Sequence, residues 1–190
     1  GFAKSDPSRD TPNLQFHIQP ISTDKLGGAN LHDFHAFTPT VANIRPTSRG
    51  EITISSNDTK VNPKIKMNYL STEEDRKVAA DVIKLIRKIV MDTNEFKKYE
   101  PEEFRPGSHL NDKEEIVKAC SHYAQTIFHP VGTCKMGNDD SAVVSDKLKV
   151  HGLNKLRVID ASIMPNITSG NTNAPTIMIA EKGADMILNP

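Results

Sequence analysis

Residues 174–188 read APTIMIAEKGADMIL, and no amphipathic reading of them leaves a clear polar face. Pro175 falls in the first turn of the helix they would form, where a missing N–H costs nothing. A helix apolar on all sides is expected to be buried, so whatever fold the chain takes must cover this segment. Immediately before it stands SGNTN, residues 169–173. Asn173 has the chemistry of an N-cap for a helix starting at Ala174, which accounts for one of the two asparagines but not for Asn171. The free N–H groups of such a helix start, with Gly170 beside them, also suit an anionic or electron-accepting group.

At 190 residues the chain is long enough for one sizeable domain or parts of two. Lys plus Arg and Asp plus Glu are 24 each, so no net field favours nucleic acid or an anionic membrane. The longest apolar stretches fall well short of the roughly 20 residues that span a bilayer, and no membrane span is expected. The start, Gly1 in a polar segment, has no signal-peptide pattern. Two cysteines, Cys120 and Cys134, are too few for a disulfide framework.

The first 31 residues read as loop plus one strand at LQFHIQP. AFTPTVANIRPTSRGEITIS, 36–55, reads as two extended runs joined in a hairpin by a turn over 46–50. Ser71 with Glu74 forms a capping box ahead of Val78, Val82, Leu85, Ile86, Ile89 and Val90, which recur at helical spacing. Residues 112–126 form a second amphipathic helix with acidic residues in its first turn. KLRVIDAS, 155–162, reads as a short buried strand before the final helix. This order of elements is α+β or α/β.

His129, in FHPVGTCKMG, is placed at the end of the second helix and before a proline and two glycines, where an imidazole can project into a cleft as a general base. Taken alone, one of seven histidines is more often structural or solvent-facing. Cys120, His122, His129 and Cys134 share one window, but their spacing lacks the paired short steps of structural zinc sites, and no metal is expected.

Three motifs together carry a resemblance. HPVGTCKMG, VHGLNKLRVIDASIMP and SGNTNAPTIMIAEKGADMI resemble the C-terminal half of the glucose-methanol-choline (GMC) oxidoreductases, and most of all the insect-type FAD-linked glucose dehydrogenases. IRPTSRGEITI and NYLSTEEDRKVAADVIKLIRKIV are similar to that family's substrate-domain strand and helix. The resemblance implies an α+β fold: an antiparallel sheet with helices as the substrate-binding domain over 1–132, then the closing strand and helix of a Rossmann-like FAD domain over 133–190. It implies that His129 is the catalytic base, that Asn171 holds the substrate oxygen, and that the cofactor is FAD. Backbone amides around Thr172 and Asn173 would face the flavin N1–C2=O locus, and Asp160 and Ala161 would touch the cofactor from a strand end.

The implied activity is oxidation of an alcohol or sugar CH–OH group, with a quinone-like acceptor or oxygen taking the electrons. Choline dehydrogenase-like chemistry, or a truncated binding module without catalysis, are the rivals. The family's G-x-G-x-x-G fingerprint, which holds the ADP half of FAD, is absent. The expectation is therefore a C-terminal fragment that binds FAD poorly and has no activity alone. Secretion follows from the glucose dehydrogenase branch and a mitochondrial location from the choline branch. Of two glycosylation sequons, Asn57 is the plausible acceptor, and Asn166, beside the presumed site, is expected to be buried.

Overall fold

The computed structural model describes residues 1–24 and 30–189. It divides into two compact units: one of Gly1–Asn43 with Thr72–Gln125, and one of Ile44–Ser71 with the chain from Thr126 onward. No helix among the described residues is long and apolar enough to cross a membrane.

The first unit is built on a three-stranded antiparallel sheet of β1 (Phe2–Ala3), β2 (Leu14–Gln19) and β3 (Thr38–Asn43), in the order β1-β2-β3. The pairing of β2 with β3 runs from Leu14 opposite Asn43 to Gln19 opposite Thr38. That register puts Leu14, Phe16 and Val41 against the long helix α1 (Glu73–Asp92), whose Val78, Val82, Leu85 and Ile86 meet them. A second stripe of α1, Ala80 and Ile83, packs on Ile116, Val117 and Cys120 of α3 (Lys113–Tyr123). Ile116 is fully buried there, which contributes on the order of 1.5–3 kcal/mol. One short helix, α2 (Asn94–Lys97), follows α1.

The helix starts are set by local chemistry. Thr72, not Ser71, caps α1, its side chain accepting from the Asp75 N–H, because Thr72 has the extended backbone an N-cap requires. The spacing T-x-x-D fits as well as S-x-x-E, and the Ser71 N–H is bonded to Ser48 Oγ instead. Asp112 caps α3 through the N–H groups of Glu114 and Glu115.

The expected hairpin over 36–55 does not form. Its first run is β3, paired with β2, and its second is β4 (Glu51–Thr53), paired antiparallel with β5 (Lys64–Lys66) in the other unit. The segment 44–50 is too long and too irregular for a tight two-residue turn, so each run found a different partner. Gly50 is required at its end, since a Cβ there would meet the Lys66 carbonyl oxygen at 2.2 Å.

The second unit is held mostly by loops around Val144, Leu148, Ile163, Met164 and Ile179. Residues 155–162, expected as a strand, make only the single bridge of Arg157 with Lys149, and their last two residues belong to the 3-10 turn Ala161–Ile163, which Asp160 caps. The antiparallel neighbour of this run, residues 148–150, meets it only around that bridge, through the Val150 N–H to the Leu156 carbonyl at 3.0 Å and the Val158 N–H to the Leu148 carbonyl at 3.1 Å, too short a pairing to make a strand. The last helix, α4 (Asn173–Leu188), packs one side on that turn and on Ile159. Its other side exposes Ile177, Met178, Ile187 and Leu188, so the all-round burial expected from its composition is not met within the described residues. Antiparallel sheets and helices in separate runs make the chain α+β, as anticipated.

Candidate functional site

His129 is carried by a loop, not by a helix end. Helix α3 stops at Tyr123, and the chain then runs through Phe128, whose backbone is left-handed at φ 64°. A bulky residue in that region is strained, and such strain persists where the surroundings impose it. Beyond His129, Gly132 turns the chain at φ 91°. The Cys134 N–H then donates to the Ser162 carbonyl at 3.0 Å and the Met136 N–H to the Ile163 carbonyl at 2.8 Å. Two backbone bonds thus tie the histidine loop to the 161–163 turn, on which α4 also packs.

Asn171 arrives by a similar device. Ser169 is left-handed at φ 62°, and the chain then enters α4 through Thr172, its N-cap. The expected cap, Asn173, is instead the first helical residue, and Thr172 holds the cap position without a side-chain cap bond. The Thr172 carbonyl accepts from the N–H and the hydroxyl of Thr176, closing the first turn. Asn171 and Asn173 are exposed, whereas Thr172 is buried.

These two loops bring His129 and Asn171, 42 positions apart, into contact: Asn171 Nδ2 lies 2.8 Å from His129 Nε2. The opposite ring nitrogen, Nδ1, lies 2.9 Å from Thr172 Oγ1 and at 3.5 Å from the Thr172 N–H. The imidazole is half-buried and bonded at both nitrogens, which fixes its ring plane. Phe128, Ser169 and Thr172 lie within the quoted motif stretches, but nothing in their residue types marks the left-handed backbone of the first two or the imidazole contact of the Thr172 side chain.

Asp160 and Ala161 begin the turn against which α4 packs. The Asp160 carboxylate accepts from the Ser162 N–H at 2.7 Å, so one of its oxygens is engaged in capping the turn. Asn166 is exposed, contrary to expectation, and its Oδ1 accepts from Arg49 Nη2 at 2.7 Å. The segment after Pro165 runs over the surface of its unit, where Arg49 reaches it. Asn57 is exposed on the β4–β5 connection.

Residues 46–180 match the family described as GMC oxidoreductase. An oxygen-dependent choline dehydrogenase of Proteus mirabilis (strain HI4320) is 45% identical over 98% of this chain and 33% of its own length. An alcohol dehydrogenase [acceptor] of Pseudomonas putida is 45% identical over 99% of this chain and 34% of its own length. Among solved structures, pyridoxine 4-oxidase from Mesorbium loti superposes with a TM-score of 0.85 at 29% identity, over 100% of this chain and 37% of that one. A formate oxidase of Aspergillus oryzae RIB40, in a study of its FAD modification, gives 0.80 at 28% identity over 94% of this chain and 32% of that one. The chain spans about a third of the length of the curated relatives it matches. With its motifs, its α+β architecture and a match over most of its length, the chain belongs to the GMC oxidoreductase family.

Proposed function

We propose that the protein to which this chain belongs oxidises an alcohol CH–OH group with FAD, and that His129 and Asn171 are this chain's contribution to the chemistry. The observation that carries the reading is the 2.8 Å contact between Asn171 Nδ2 and His129 Nε2. It places an amide and an imidazole on one exposed edge, the two groups needed to orient a hydroxyl and to remove its proton. His129 takes the hydroxyl proton at Nε2, while Asn171 holds the substrate oxygen by hydrogen bond. Which amide atom faces the substrate is set by the rotation of the Asn171 side chain. FAD, when bound, supplies the hydride acceptor for the carbon that loses its hydrogen.

The residues present fit such a cofactor at the α4 start. The N–H groups of Asn173 and Ala174 lie in the first turn of a 16-residue helix, where they lack intrahelical acceptors, and the exposed Asn173 keeps that end open. Asp160 and Ala161 offer backbone on the adjoining turn. Thr172 and Asn173, with Asp160 and Ala161, would hold the flavin end of the cofactor, and the positive pole of α4 would favour negative charge on it. The assignment of 1–132 to a substrate-binding domain and of 133–190 to the FAD domain is part of this proposal.

The substrate is an alcohol, with a sugar as the finer reading and choline as the second. Choline is favoured by the name of the Proteus mirabilis relative. Oxygen or a quinone-like acceptor takes the electrons. The test is dye-coupled and oxygen-coupled oxidation of choline, aliphatic alcohols and sugars by the flavin-loaded full-length protein. Turnover with none of these, by a protein carrying stoichiometric flavin, overturns the proposal.

A further inference from the structure

A neutral imidazole has one N–H and one lone pair, so its two nitrogens cannot both accept or both donate. At His129 the two sides differ in kind. Nε2 faces the exposed Asn171, and Nδ1 faces Thr172, which is 7% exposed. A proton taken from a substrate has to arrive at the open side, so the lone pair belongs on Nε2 and the ring proton on Nδ1. The group recorded at good distance on that side is the Thr172 hydroxyl oxygen, at 2.9 Å. The Thr172 N–H also points at Nδ1 and would favour a lone pair there, but at 3.5 Å, the limit of a hydrogen bond, it is the weaker of the two contacts. With Nδ1–H donated to Oγ1, the Asn171 amide N–H donates to Nε2, and both short contacts of the ring have one donor and one acceptor.

We propose that Thr172 is a positioning residue: its buried hydroxyl oxygen accepts the Nδ1 proton of His129 and thereby keeps the lone pair at Nε2, beside Asn171. The inference rests on His129 being the base. When Nε2 takes the substrate hydroxyl proton, the ring becomes an imidazolium whose Nδ1–H is already bonded, so nothing has to rotate during the transfer. Because the backbone of Thr172 starts α4, the same residue couples the aim of the imidazole to the position of the helix end. A β-branched residue suits this, since its χ1 is stiff and the hydroxyl stays where the backbone puts it.

The experiment uses full-length protein with 15N-labelled histidine, at a pH well above imidazole titration. The His129 ring signals are identified by their loss in His129→Gln. The wild type and Thr172→Ser are expected to carry the proton on Nδ1, and Thr172→Val to shift toward the Nε2–H tautomer. In the same proteins kcat/KM for the alcohol is expected to fall about 10–100-fold in Thr172→Val and to return within a few-fold in Thr172→Ser, as for residues that orient a reactive group through one bond. A wild-type ring protonated at Nε2 overturns the inference, and so does a Thr172→Val ring that matches the wild type. Equal loss of activity in the Val and Ser variants with an unchanged tautomer assigns Thr172 a packing role only and also overturns it. The tautomer is read without turnover, so a protein that oxidises no alcohol sinks the functional reading while this assignment is still decided.

Discussion

Gly183 of α4 lies directly over Ile159: a Cβ at 183 would stand 2.4 Å from Ile159 Cγ2 and 2.9 Å from its Cδ1. The helix therefore reaches the core of its unit at a point where no side chain fits, and Gly183 is buried. By propensity alone, alanine would stabilise a mid-helix position by about 1 kcal/mol over glycine. Overpacking against a β-branched neighbour costs about 1–3 kcal/mol. Gly183→Ala is expected to lower Tm, and Ile159→Ala in the same chain to recover part of the loss in a double-mutant comparison. A Gly183→Ala protein as stable as the wild type would show that the contact gives way freely.

Arg87 and Glu103 form a half-buried bidentate pair, Nε to Oε2 at 2.8 Å and Nη2 to Oε1 at 2.9 Å. Arg87 also donates to the carbonyls of Leu110 at 2.7 Å and Gly107 at 3.0 Å, so one side chain of α1 organises the loop before α3. Glu103→Gln removes a charge-assisted acceptor and should cost about 1.5–3 kcal/mol by denaturant titration. Glu73→Gln, in exposed pairs with Lys113 and Arg76, should cost far less. Equal effects would mean that the enclosure of the Arg87 pair adds nothing.

Asp6 supplies a pH dependence with a definite sign. The Ser8 N–H and hydroxyl, and then Lys77, hold its carboxyl down at about 2. A folded value below the unfolded one stabilises the protein at pH above the ordinary carboxylate range, about 4, and that contribution disappears as the pH falls toward 2. Tm of Asp6→Asn should lie below wild type at pH 7, and the two should converge by pH 2. A gap that stays constant over that window contradicts the assignment.

Burial pushes the Cys120 thiol up, because the helix contact between α1 and α3 desolvates the thiolate. The thiolate is the reactive form. Alkylation of Cys120 by iodoacetamide at pH 8 should therefore be many-fold slower in the folded protein than in urea, as read by mass spectrometry of its peptide. Labelling at the unfolded rate would place the thiol outside the core.

Much of this architecture is legible in the residues because helices carry their pattern locally. The 3.6-residue spacing of Val78, Val82, Leu85 and Ile86 and the acidic turn after Asp112 announce α1 and α3. Partnership between strands is not local, and there the reading goes astray. TPTVAN and EIT are adjacent in sequence, yet each pairs elsewhere, and KLRVIDAS has the composition of a strand without a strand beside it. The site divides in the same way. His129 and Asn171 can be named from family motifs, but only the folded chain places Thr172 Oγ1 on the far nitrogen of the imidazole. A hydroxyl between two asparagines looks like helix capping until its partner, 43 positions away, is seen.

The most direct measurement is the absorbance spectrum and alcohol turnover of the flavin-loaded full-length protein beside its His129→Ala variant. The account predicts unchanged flavin content with kcat/KM reduced about 100- to 10,000-fold, the range expected on losing a general base. A variant that keeps its flavin and oxidises alcohol at the wild-type rate would remove His129 from the chemistry, and with it the role given to its contact with Asn171.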